Sequence, residues 1–230
     1  MNRTDKPNRY VIKFAKEGYI RYTSHLDMLR LFKRAFKRAG VALSFSQGFN
    51  PHPKMGFAQP LSLGYTSRCE LLEFETAREE NPAAMEKALN AMMPEGVEIL
   101  GCYPLNADVK SLAAATCEAT YKVVFPVAAD PDRGRKLAED YLAQPEILAE
   151  KRQKKTKKMV TVDIRPKIRQ IHVLEGERLT LELVLDSGSA SNLSPEQVIS
   201  TFTVFAGLDV PRHDVEVERV AIKFDRNLQF

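Results

Sequence analysis

Apolar and polar positions along residues 10–14 (Tyr-Val-Ile-Lys-Phe) read as a strand, and past Ser24 the apolar period lengthens to that of a helix. Leu29, Phe32, Phe36 and Ala39 recur at helical spacing and form the apolar stripe of a helix over residues 24–39. Ser24 opens it in a capping pattern, with a hydroxyl at the N-cap and the Asp27 carboxylate three positions on. Gly40 is its expected stop, because the residue past a helix often takes a left-handed backbone. Residues 43–46 predict a second strand and residues 55–59 its return. Between them, residues 47–54 (Gln-Gly-Phe-Asn-Pro-His-Pro-Lys) form a loop, since Gly48, Pro51 and Pro53 oppose regular structure. Residues 69–75 continue as a strand. Pro82 begins a second helix at its first position, with Ala84, Met85, Ala88, Leu89 and Met92 as the apolar face. Residues 97–103 are another strand. The order β-α-β-β-α-β is the ferredoxin-like pattern.

That order recurs. Residues 118–127 predict a strand and 132–143 a helix, followed by a basic insertion. Residues 168–174 and 178–185 flank Glu175, Gly176 and Glu177 as a hairpin. Pro195 opens a helix to about Ala206, and residues 215–224 alternate as a last strand. The reading is an α+β chain of two tandem ferredoxin-like units. The first covers residues 1–104, a linker covers 105–116, and the second covers 117–230 with a basic loop at 151–158.

Length and composition fit this: 230 residues suit two domains of about 100 residues each. The first residues show no apolar h-region, and no apolar run approaches the roughly 20 residues that span a bilayer, so a cytoplasmic protein with no membrane contact is expected. Cys69, Cys102 and Cys117 are too scattered for a zinc or iron–sulfur site, so no metal and no cofactor is expected.

Charge is segregated. Residues 1–68 carry 13 Lys or Arg against 3 Asp or Glu, whereas residues 69–112 carry 3 against 9. A local positive field points to a polyanion partner, with RNA the best candidate. If residues 47–54 join two adjacent strands, they emerge at the same end of the sheet as the first strand-to-helix connection. That places Arg21, Tyr22 and His25 near Asn50, His52 and Lys54, where a helix N-terminus favours a phosphate. The alternative is a structural loop stiffened by prolines and fixed by packing of Phe49. Arg30, Arg34, Lys37 and Arg38 line the helix side opposite the core stripe, without acidic partners at i+4. Lys151, Arg152, Lys154, Lys155, Lys157 and Lys158 form a second basic run, either a backbone clamp or a solubilising loop. His25 and His52, with Tyr22, also admit a metal-free endonuclease reading in which two imidazoles move protons at an RNA 2′-hydroxyl.

The stretch Arg21, Tyr22, Thr23, Ser24, His25, Leu26 and Asp27 resembles a bacterial family of radical-SAM-linked proteins of unknown function. So do Arg30, Arg34, Arg38, Gly40, the run from Ser46 to Lys54, and Asp163, Ile164, Arg165 and Pro166. The resemblance implies a companion to a radical S-adenosylmethionine enzyme acting on tRNA or rRNA, or a protein-docking module without RNA contact.

Overall fold

A computed structural model describes residues 7–106, 108–153, 156–226, 228 and 230. The chain is mixed α+β and divides into two compact units. One runs to Thr116 and takes in Phe224–Phe230; the other is Cys117–Lys223. No helix among the described residues is long and apolar enough to cross a membrane.

The first unit holds β1 (Asn8–Lys16), α1 (His25–Arg38), β2 (Met55–Phe57), β3 (Thr66–Thr76), α2 (Pro82–Asn90), β4 (Val97–Pro104) and the single turn α3 (Leu112–Ala115). Its sheet runs β4-β1-β3, with β2 on the edge of β3 away from β1, and every pairing is antiparallel. Alternate residues of β1, Tyr10, Ile12 and Phe14, turn to one face and meet Met28, Phe32 and Phe36 of α1 and Met85 and Leu89 of α2. The rings fix the direction of α1. Phe32 lies 4.9 Å from Phe14, and Phe36 lies 4.7 Å from Phe74, the residue opposite Tyr10. The helix therefore runs back along the sheet from the end of β1 toward its beginning. Each of these side chains contributes about 1.5–3 kcal/mol by leaving water.

Residues 105–116 bury Leu105, Val109 and Leu112, and Arg9 reaches across to donate to the Val109 carbonyl. Residues 43–46 are not a strand. Among the described residues only two isolated bridges form there, Leu43 with Thr76 and Phe45 with Pro53. Pro51 and Pro53 have no N–H to offer a ladder, so pairing stops as soon as it starts.

The second unit holds β5 (Thr116–Ala128), α4 (Pro131–Ala143), β6 (Leu148–Arg152), β7 (Met159–Asp163), β8 (Ile168–Leu174), β9 (Arg178–Asp186), α5 (Pro195–Phe205) and β10 (Glu216–Phe224). Its sheet runs β10-β5-β9-β8 around a core that includes Phe125, Tyr141 and Phe202. The basic insertion differs from the expected loop: β6 and β7 pair as a separate two-stranded hairpin, with Lys151 opposite Val160 and Arg152 opposite Met159. Residues alternate between exposed and half-buried along β7, the period of a strand with one face partly covered.

Candidate nucleic-acid interface

Lys16 ends β1, and Gly18 turns the chain with a left-handed φ of 56° into a short 3₁₀ turn, Gly18–Tyr22. Ser24 then caps α1. The carbonyl of Arg21 accepts from the Gly64 N–H at 2.9 Å, so the connection between β2 and β3 is pinned beside this turn. The result is an exposed rim in which Tyr19 is 94% and Tyr22 62% accessible, with Leu26 and Leu63 also exposed. The Arg21 guanidinium lies over the Tyr22 ring.

His25 stands at the first position of α1 and meets the Phe57 ring edge-on, 5.3 Å between centroids. Its Nδ1 is buried and has no hydrogen-bond partner among the described residues, and the same holds for Arg21 Nε. A cavity of about 20 Å³ below it is lined by Phe14, Lys16, Phe57 and Glu70. Lys16 and Glu70 are both buried. Lys16 Nζ donates to the Thr23 carbonyl at 3.0 Å, which fixes the turn to the end of β1. Buried charge of this kind is costly unless it is bonded.

The start of α1 is already served by a carboxylate. Ser24 Oγ accepts from the Asp27 N–H at 3.2 Å, and the Ser24 hydroxyl donates back to Asp27 Oδ2 at 2.7 Å. The Ser24 hydrogen bond, then the Arg30 bond at 2.8 Å, hold the Asp27 carboxyl below its usual range. A phosphate at this helix end would meet a like charge, contrary to the sequence expectation. Arg30 is likewise paired rather than free, because Asp27 lies one turn before it instead of after it. Lys33, Arg34, Lys37 and Arg38 are exposed, and none has an ion-pair partner among the described residues.

Residues 47–54 sit elsewhere than the sequence reading placed them. They lead into β2 rather than joining β2 to β3, and the connection that meets Arg21 is residues 58–65. Ser46 N–H donates to the His52 carbonyl at 2.8 Å, and Lys54 pairs with Glu75 at 2.7 Å. Glu75 faces Arg9 near the start of β1, whereas Lys16 faces Ser67 at its end. At about 3.3 Å per residue, Lys54 and the Arg21 turn are roughly 20 Å or more apart along the sheet. One converging rim is therefore replaced by two ends of the sheet, with α1 running from one to the other. Phe49, Asn50 and His52 are exposed at the far end, Phe49 completely. No hydrogen bond or ring contact joins His25 to His52 among the described residues.

Lys151, Arg152, Lys157 and Lys158 are exposed on the β6–β7 hairpin of the other unit, where Arg152 Nε donates to the Lys157 carbonyl at 3.1 Å. Lys154 and Lys155 lie outside the described residues. No group of three His, Cys, Asp or Glu side chains comes together among the described residues. Phe49, which the structural-loop alternative expected to pack and fix its loop, is instead fully exposed, and the exposed ring of Tyr19 was not singled out from the sequence. Each follows a glycine of positive φ, Gly18 and Gly48, in a segment with no apolar period, and that is the signal that was available.

The sequence model of a family described as an uncharacterized protein conserved in bacteria matches residues 9–195. No curated protein matches the chain. Among solved structures, the chain is similar to one in the crystal structure of a Cbf5-Nop10-Gar1 complex. The TM-score is 0.50 at 14% identity, over 93% of this chain and 48% of that one. For the structure of an H/ACA RNP bound to a substrate RNA containing 2′-deoxyuridine, the values are 0.45 at 13%, over 92% and 47%. This chain thus spans about half the length of the one in the Cbf5-Nop10-Gar1 complex, and the likeness is one of fold.

Proposed function

We propose that this chain, which belongs to the DUF2344 family of bacterial proteins, binds RNA along the outer side of α1. The observation that carries the reading is the set Lys33, Arg34, Lys37 and Arg38, exposed on one helix with no carboxylate at ion-pair distance among the described residues. Aromatic side chains stand at both ends of that helix, Tyr19 and Tyr22 at its start and Phe49 beyond its finish. Cations that track a phosphate backbone, with rings on which bases stack, are what an unpaired strand requires. Arg21, His25, Asn50 and His52 would shape the two ends, and Lys54, held by Glu75, would contribute less. Lys151, Arg152, Lys157 and Lys158 are a separate candidate phosphate contact on the second unit's own hairpin.

We take both units to be ferredoxin-like. In each, the fourth, first, third and second principal strands lie side by side in that order once the β6–β7 insertion is set aside, which supports the tandem βαββαβ reading. The resemblance carried by residues 46–54 adds a radical S-adenosylmethionine enzyme as partner in the cytoplasm, with tRNA or rRNA as the shared substrate.

Filter binding of tRNA across a salt series tests the reading. The expected result is a linear fall of log affinity with log salt, shallower when Arg34, Lys37 and Arg38 are replaced by alanine. A salt-independent affinity, or a triple variant that binds as tightly as the parent, would remove it.

A further inference from the structure

The second unit carries a groove beside its basic β6–β7 hairpin. It measures about 510 Å³ and lies between α5 and β6, with Thr201, Val204 and Phe205 on one wall and residues 147–150 on the other. Val204 is 81% and Leu148 53% accessible, so the groove is open and partly apolar. Side chains of a strand alternate between two faces, so Leu148, Ala149 and Glu150, consecutive in β6, can border one groove only if the strand turns its edge to it. The other edge of β6 is occupied by β7, and among the described residues β6 pairs with no further strand. Its groove-side N–H and C=O groups therefore form an open row of the kind that accepts another strand.

Charge selects the occupant. β6 leads directly from the groove into Lys151 and Arg152, and Lys157 and Lys158 are exposed on the same hairpin. A second copy of this chain would bring one basic edge against another. RNA would place phosphates against Val204, Phe205 and the Glu150 carboxylate. We propose that the groove takes an extended peptide of a partner protein by strand addition to β6. Apolar side chains of the peptide sit at alternate positions against Val204 and Leu148, and acidic residues lie at the end beside Lys151 and Arg152.

The test is selection of a random peptide library displayed on phage against the full chain, followed by fluorescence anisotropy with the enriched peptide. The expected consensus alternates apolar residues and carries Asp or Glu at one flank. Val204→Glu, at an exposed position where the fold is not at stake, should weaken the peptide by about tenfold or more. Lys151→Glu with Arg152→Glu should weaken it as well, while Val204→Glu leaves tRNA binding unchanged. Methylation of alternate peptide amides should abolish binding in one register only. The proposal is overturned by absence of a consensus, by a consensus peptide indifferent to Val204→Glu, or by equal tolerance of both methylated registers. A dimer in sedimentation velocity that Val204→Glu dissociates would assign the groove to a second copy and overturn it too.

Discussion

The guanidinium of Arg21 lies 5.1 Å from the centroid of the Tyr22 ring, and its Nε is buried without a partner among the described residues. The cation covers one face of a ring that is otherwise largely exposed, and so holds it in place before any ligand arrives. A base that stacks on the free face meets an ordered platform. Tyr22→Ala should weaken RNA binding by about 1–3 kcal/mol, while Tyr22→Phe, which keeps the ring, should bind like the parent. Filter binding at fixed salt decides the point, and an alanine variant of unchanged affinity would show that no base stacks there.

The cations of α1 are not equivalent. Arg30 is engaged by Asp27 at 2.8 Å, whereas Arg34, Lys37 and Arg38 are exposed with no ion-pair partner among the described residues. Each free cation replaced by alanine should lower the slope of log affinity against log salt by about 0.7 for single-stranded RNA. Arg30→Ala should change the slope least, because removing it also releases an acidic side chain. Equal slopes for all four variants would mean that RNA contacts a different face.

Local chemistry made α1 legible. Ser24 and Asp27 close a cap within one turn, and Phe32 and Phe36 need only helical spacing to reveal the buried side. The place of residues 47–54 was not legible, because it depends on which strand β2 joins. Leu43 and Phe45 have strand-forming side chains, yet the ladder they would form lacks donors at Pro51 and Pro53. The candidate site suffered most from this, since it was assembled on the assumption that one connection followed the other. Accessibility of Tyr22 and Phe49 is likewise a tertiary property that no local period encodes. On the β6–β7 hairpin, the charge of Lys151 and Arg152 hid strands that the alternation in residues 159–163 could have announced.

Phe32 is fully buried and touches the rings of Phe14, Phe36 and Phe57. It carries the seat of α1 on the sheet, and with it the direction of the cation track. Phe32→Ala should cost about 3–5 kcal/mol, because neighbouring rings cannot close the hole. Loss of the cap in Ser24→Ala should cost only about 1 kcal/mol. Urea unfolding followed by circular dichroism separates the two, and comparable losses would mean that α1 is not seated on the sheet through Phe32.

Cysteine reactivity reports on the same core. Cys102 lies in β4 and is 7% accessible, and burial pushes its thiol up to about 12. At pH 8 its thiolate fraction is on the order of 10⁻⁴, so iodoacetamide should leave it unmodified in the folded chain. Cys69 and Cys117 are only half-buried and should be alkylated first. Mass spectrometry after timed labelling gives the order, and early modification of Cys102 would mean that β4 opens readily.

Glu73 offers a pH test of the first unit. Burial raises its carboxyl above the ordinary 4.5, and the Leu112 N–H at 2.7 Å and Arg9 at 3.7 Å offset this only in part. The folded chain therefore holds the proton more tightly than the unfolded one. The stability this contributes is complete below pH 4.5 and is lost as pH rises through the raised folded value. Glu73→Gln keeps an acceptor for the Leu112 N–H and has nothing to ionise. Urea midpoints of the parent should accordingly fall relative to those of the variant as pH climbs from 4.5, and then run parallel. If the parent instead gains on the variant over that window, the ion pair with Arg9 outweighs desolvation, and residues 105–112 are held to the sheet by charge rather than by packing.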